Sequence, residues 1–194
     1  MSGHIHRWRA AYRRHGVATF RMALGRVFPQ LAPEDRIDIY ARSLSAIQNG
    51  SSDWAIRRID DPCDPLLTTL QLEFGCPAPA RKADSRKECY VAMSAGAIVG
   101  YSWTTIDECF VEEIDHVYFM EPDEFFIFDC LVREDCRGRG IYPAMLAAVM
   151  NDQRQRHPGL KTALIGVSSV NRSSTRGIVK AGFTRHSSIT RETC

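Results

Sequence analysis

Between Glu124 and Val132 the sequence runs EFFIFDCLV, and it soon passes through Arg137-Gly138-Arg139-Gly140 into IYPAMLAAVM. A stretch this apolar has no face to give to solvent, so it predicts a central strand covered on both sides. The residues after the glycines place Tyr142, Met145, Leu146, Val149 and Met150 on one face of a helix. Pro143 fits its first turn, and His157-Pro158-Gly159 ends it. The junction between the two elements has a chemistry of its own. The first N–H groups of a helix lack internal acceptors and carry the positive end of the helix dipole. Glycines just before them let a ligand approach the backbone closely. Together they predict a cradle for a pyrophosphate-like anion, with Arg137 and Arg139 adding charge at its rim.

The rest of the chain supplies the sheet around that strand. Residues 37–44 (IDIYARSL) read equally as a short strand or a turn of helix. Residues 54–59 alternate like a strand. Asp64 is placed as an N-cap with Pro65 in the first turn and Gly75 as the stop. Residues 77–86 (PAPARKADSR) are polar and interrupted by proline, which predicts a loop. Strands follow at 89–93 and 97–103, joined by a hairpin turn at Ser94, Ala95 and Gly96. A further strand falls at 116–120. After the helix come a buried strand at 162–167, a second helix at 172–181 stopped by Gly182, and a last strand at 184–190. This order predicts an α/β fold with a mixed sheet.

Residues 1–50 read as a basic, helical N-terminal extension ahead of a domain at 51–194. Before Glu34 there is no acid, yet Arg7, Arg9, Arg13, Arg14, Arg21 and Arg26 are present. Trp8, Ala11, Tyr12, Phe20, Leu24 and Val27 recur there with rough helical spacing. Such a segment is either a solvated helix face or a contact for an anionic partner. The arginines without acids are also those of a transit peptide, although the expected location is the cytoplasm. The net charge of +2 is too small to predict nucleic-acid binding. No apolar run reaches the roughly 18 residues of a membrane span. The seven cysteines form no C-x-x-C pair, which predicts thiols and no metal site.

The spacing around the glycines excludes two familiar phosphate-binding loops. A P-loop needs G-x-x-x-x-G-K followed by Ser or Thr. A dinucleotide fingerprint needs glycine where Pro143 stands. The segment instead resembles the GNAT superfamily of acyl-CoA-dependent N-acyltransferases. Their cofactor motif is Gln or Arg, x-x-Gly-x, then Gly or Ala, after a strand ending in Val. Val132, Arg137 and Gly140 match it; Tyr142 stands where the family has a small residue. Asn171-Arg172-Ser173-Ser174 and Lys180-Ala181-Gly182-Phe183 resemble the family's later helix. The resemblance covers about residues 54–190.

It implies a mostly antiparallel twisted sheet flanked by helices, and acetyl-CoA as acyl donor with no metal. It implies that Cys130, Leu131 and Val132 offer backbone groups to the pantetheine arm. Gly138, Arg139, Gly140, Ile141, Tyr142 and Pro143 would then hold the pyrophosphate beside Arg137, with Asn171 on the pantetheine side. The reaction would be direct attack of an amine on the thioester. It needs a neutral amine, an oxyanion donor and a proton for the thiolate. The family's usual catalytic positions fall on Phe126, Gly166 and Ile178, none of which can do this work. Asp129, Glu124 and Tyr142 are the candidate replacements, each with a purely structural alternative: a hydrogen-bonded acid, a strand-end charge and a packing ring. The acceptor is an unknown amine, of a small molecule such as an amino sugar or of a protein. Two other functions stay open, a non-catalytic acyl-CoA binder and an RNA-associated acetyltransferase. So does a homodimer.

Overall fold

A computed structural model describes residues 36–47, 54–111, 113–114 and 116–190. The expected helix in the basic N-terminal segment lies outside the described residues. The strands are β1 (Arg36–Ser43), β2 (Ala55–Ile59), β3 (Lys87–Ser94), β4 (Ala97–Thr105), β5 (Glu108–Val111), β6 (His116–Phe119), β7 (Glu124–Val132), β8 (Thr162–Ser168) and β9 (Thr184–Thr190). The helices are α1 (Pro65–Phe74), α2 (Ala78–Lys82), α3 (Ile141–Arg156) and α4 (Arg172–Lys180). Seven strands form one sheet in the order β2-β3-β4-β7-β8-β1-β9, and β5 and β6 form a separate hairpin. The predicted central strand, β7, is the middle one. Its neighbours are antiparallel β4 and parallel β8.

Three expectations change. β1 sits between β8 and β9 and pairs antiparallel with both. The boundary drawn at residue 50 therefore cuts through the sheet, and 36–43 belongs to it. Its strand character was ambiguous because Ile37, Ile39 and Tyr40 are all buried: a strand covered on both faces does not alternate. Next, the stretch expected as a loop at 77–86 contains α2. Its prolines lie at the start, where a helix needs no N–H from them, and Ala80, Arg81 and Lys82 then continue it. Finally, β5 went unread. Its alternation of Glu108 and Phe110 outward with Cys109 and Val111 inward is hidden by flanking acids.

Two layers cover the sheet. On one face α3 and α4 bury Leu146, Val149 and Ile178 against Phe125, Ile127 and Ile165. On the other, α1 packs Leu67 and Leu70 on Val91, Tyr101 and Trp103. The β5–β6 hairpin covers Ile37, Ile39, Phe126 and Leu164 on that same side. Local signals start and stop these elements as read: the Asp64 carboxylate accepts from the Leu66 N–H, and Gly75 and Gly182 take left-handed conformations. Buried Gln153 fixes α3 across the sheet, with Nε2 2.9 Å from the Tyr90 hydroxyl and 3.2 Å from that of Thr104. Among the described residues no helix is long and apolar enough to cross a membrane.

Candidate active site

The site begins where β7 and β8 part. Their parallel pairing runs from Glu124↔Thr162 to Ile127↔Ile165 and stops. Beyond it, Phe128, Leu131 and Val132 pair only with β4, while Gly166, Val167 and Ser168 pair only with β1. The sheet opens between two strands that each keep their outer partner. The backbone groups facing the opening have no ladder partner, and β7 changes from buried to half-buried there. An extended chain carrying amides could pair with them as a strand would.

A bulge lies at the head of this opening. Tyr101 pairs with Leu131 and Trp103 with Phe128, so Ser102 faces two residues, Asp129 and Cys130. Asp129 has φ 42°, a left-handed value rare outside glycine. Bulges re-aim side chains. Here Cys130 joins the α3–α4 side, whereas Asp129 meets Arg81 of α2 on the opposite face. Ser102 Oγ and Trp103 Nε1, in the two β4 residues beside the bulge, are buried without a hydrogen-bond partner. Buried polar groups are rarely left so; as consecutive strand residues the two face opposite sides of the sheet, Trp103 the α2 side and Ser102 the α3 side.

The glycine junction adjoins the opening. Gly140 caps α3 with φ 78°, and Gly138 has φ 78° as well. A Cβ placed on either would meet nothing within 4 Å. The backbone conformation demands glycine, and the space in front is open for an anion. No acid stands in the first turn of α3. Arg137 Nε donates to the Val132 carbonyl, 3.2 Å, and Arg139 Nη2 to the Asp135 carbonyl, 3.2 Å. The two arginines thus brace the loop as well as charging its rim. Asn171 lies beyond the end of β8 and caps α4, its Oδ1 accepting from the Ser174 N–H at 3.1 Å.

Residues 54–183 match the model of the acetyltransferase (GNAT) family. The chain belongs to that family. Its fold is similar to a putative GNAT acetyltransferase of Novosphingobium aromaticivorans, with TM-score 0.55 and 14% identity over 80% of this chain and 62% of that one. A GCN5-related N-acetyltransferase from Sphaerobacter thermophilus gives TM-score 0.57 and 19% identity, over 91% and 56%. The aminoglycoside N-acetyltransferase AAC(6')-Iy, solved with CoA, gives TM-score 0.53 and 17% identity, over 72% and 100%. The chain thus spans about three fifths of the length of the first two proteins. No curated protein sequence matches it.

Within the GNAT frame, the three positions that lack the usual catalytic groups are filled with core. Phe126 packs on Tyr118 with ring centroids 5.5 Å apart. A Cβ on Gly166 would come within 3.1 Å of Phe126 and 3.2 Å of Ile37. Ile178 is fully buried. Of the three candidate replacements, the structure brings two to the opening. Tyr142 lays its ring on Gly177 of α4, so closely that a Cβ there would be 2.4 Å from Cδ1. Its side chain packs on the same side as Cys130, and burial raises the pKa of both groups well above their usual values. Asp129 stands at the bulge but is already engaged. Arg81 Nη1 donates to its Oδ2, and the Tyr101 hydroxyl donates to Oδ1 at 3.2 Å. Glu124 stands apart from the opening. It lies at the other end of β7, about 16 Å from Asp129 at the usual rise per residue, and accepts from the Glu121 N–H at 3.1 Å.

Two participants were not read from the sequence. Arg81 fell in the supposed loop, and nothing local ties it to a residue 48 positions away. Gly177 did carry a signal: a glycine inside a helix is costly and asks what presses against it. The answer is the large residue at position 142.

Proposed function

We propose that this protein transfers an acetyl group from acetyl-CoA to a primary amine by direct attack. One observation carries the reading: the opening between β7 and β8, with its bulge, lies beside an acid-free helix start headed by Gly138 and Gly140. The residues fit such a donor. The N–H groups at the start of α3, from Gly140 to Tyr142, would hold the pyrophosphate, with Arg137 and Arg139 at the edge and Pro143 adding no donor. Cys130, Leu131 and Val132 would pair through their backbone with the pantetheine amides, and the Asn171 amide nitrogen would face the same arm. Acetyl-CoA supplies the activated thioester.

The chain's own groups divide the remaining work. Tyr142 would give a proton to the leaving thiolate, and burial keeps its hydroxyl protonated until then. Asp129 is better supported as the group that fixes the bulge than as a base, because Arg81 and the Tyr101 hydroxyl already donate to its two oxygens. The amine would then arrive neutral and lose its proton to water. Bulge N–H groups would meet the carbonyl oxygen. An amino sugar is one acceptor of this kind; the similar folds include an aminoglycoside N-acetyltransferase.

The test is twofold. Acetyl-CoA at a hundred times its Kd should stabilise the protein by about 2.7 kcal/mol, and a panel of amines should then release free CoA thiol. No thermal shift at saturating donor rejects the reading. A shift without release by any amine selects the second reading, a non-catalytic acyl-CoA binder, which the apolar residues at 126, 166 and 178 favour.

A further inference from the structure

The face of the bulge turned away from α3 holds a cation. The Arg81 guanidinium lies 5.8 Å from the centre of the Trp103 ring and 5.5 Å from that of Phe128. Both distances are within the reach of cation–π attraction. Asp129 closes the cage with its carboxylate, which the Tyr101 hydroxyl holds in place. Two rings and a carboxylate around a positive charge are the elements of an ammonium or guanidinium receptor. Here the chain fills it from α2. The side chains of Arg81 and Asp129 keep 20% and 18% of their surface exposed, so the cage reaches solvent. The neighbouring indole N–H of Trp103, wholly buried, has no acceptor.

Its position gives the cage a use, which rests on the acetyl-transfer reading above. The donor would reach the bulge from the α3 side through the β7–β8 opening. The opposite face is then the approach left for the acceptor, and the cage lies on that face. We propose that this cage is the acceptor subsite, that Arg81 is its built-in occupant, and that the acceptors are amines bearing a second positive charge, which displaces Arg81. The second charge is required by the chemistry. The attacking nitrogen must be neutral to use its lone pair, whereas rings and a carboxylate favour a cation. One nitrogen of the acceptor therefore sits in the cage while another reacts, and the orphan Trp103 N–H can donate to a neutral nitrogen or hydroxyl of the same molecule.

Arg81→Ala empties the cage, and Arg81→Met keeps most of the packing if the alanine variant fails to fold. Methylguanidinium is then titrated while Trp103 fluorescence is followed, with no acetyl-CoA present. The variant should show saturable binding and the wild type much less. In turnover assays the kcat/KM ratio of a diamine over a monoamine of equal length should rise roughly two- to thirty-fold in the variant, the range that cation–π contacts span. Trp103→Leu in the Arg81→Met background should lose the added preference. A folded variant that binds no methylguanidinium, or a diamine-to-monoamine ratio that does not move, overturns the proposal. A missing acetyl-CoA thermal shift in the wild type would instead defeat the acetyl-transfer reading, and the fluorescence titration would still decide whether the cage receives cations.

Discussion

On the α3 side of the bulge the site is made of backbone: two glycines at positive φ, the first N–H groups of a helix, and the unpaired edge of β7. On the α2 side it is made of side chains: Arg81 and Asp129 between Trp103, Phe128 and Tyr101. The same strand serves both, and one left-handed residue, Asp129, directs the neighbouring side chains to opposite faces. The difference teaches how each half tolerates change. Backbone groups survive most substitutions, so the helix start of α3 is vulnerable mainly at the glycines. A side-chain cage is lost or retuned with each residue.

The largest effect should come from the backbone half. Gly140→Asp places a carboxylate in the open space before the α3 N–H groups, against the pyrophosphate. Calorimetric titration should show acetyl-CoA affinity weakened by about a hundredfold or more. Some stability is lost too, because φ 78° strains any residue with a Cβ. An unchanged affinity in a folded variant would remove the cradle from the comparison. Next comes the contact that joins the cradle to α4. Gly177→Ala drives a methyl into the Tyr142 ring and should cost about 1–3 kcal/mol by denaturant unfolding. Adding Tyr142→Ala should recover most of it, and failure to do so would show that the ring is not what makes 177 a glycine.

Asp129→Asn tests the side-chain half. Asparagine tolerates the left-handed conformation but cannot pair with Arg81. The pair is partly exposed, so the expected loss is only about 1 kcal/mol, with turnover per folded molecule little changed. A fall in kcat of roughly a hundredfold or more, with donor affinity intact, would make Asp129 a general base and turn the comparison around. The smallest effect is a pH dependence. Burial raises the Tyr142 pKa above its unfolded value of about 10. Its contribution to stability is thus complete below about pH 10 and is lost as pH rises from there toward the folded value. The buried Cys130 thiol, also raised, adds an earlier loss in the same direction. The melting temperature of wild type should therefore fall relative to that of Tyr142→Phe above about pH 10, the thiol affecting both alike. A constant gap would place the Tyr142 hydroxyl in solvent.

What could be read from the sequence follows the same division. Gly138, Gly140, Gly75, Gly182 and Asp64 act on the chain within a few residues of themselves, and each was found where it was expected. Asn171 was read as a ligand group; the structure shows it as the cap of α4. The catalytic candidates fared differently because their meaning depends on neighbours. An acid in an apolar strand reads as a base until its counterion is known, and the counterion of Asp129 comes from a short helix concealed by prolines. Glu124 shares a strand with the site, yet strand membership says nothing of the end at which the chemistry lies.

The sequence by itself determined the α/β order, the central strand and the glycine-headed helix after it, because periodicity, capping and positive φ are local properties of the chain. Only the tertiary structure decided that β1 joins the sheet between β8 and β9, that β7 and β8 part after Ile127, that Tyr142 rests on Gly177, and that Arg81 fills a cage of Asp129, Trp103 and Phe128. These are contacts between residues far apart in the chain. Their energy comes from burial and from charges brought together by folding, which no spacing along the sequence encodes.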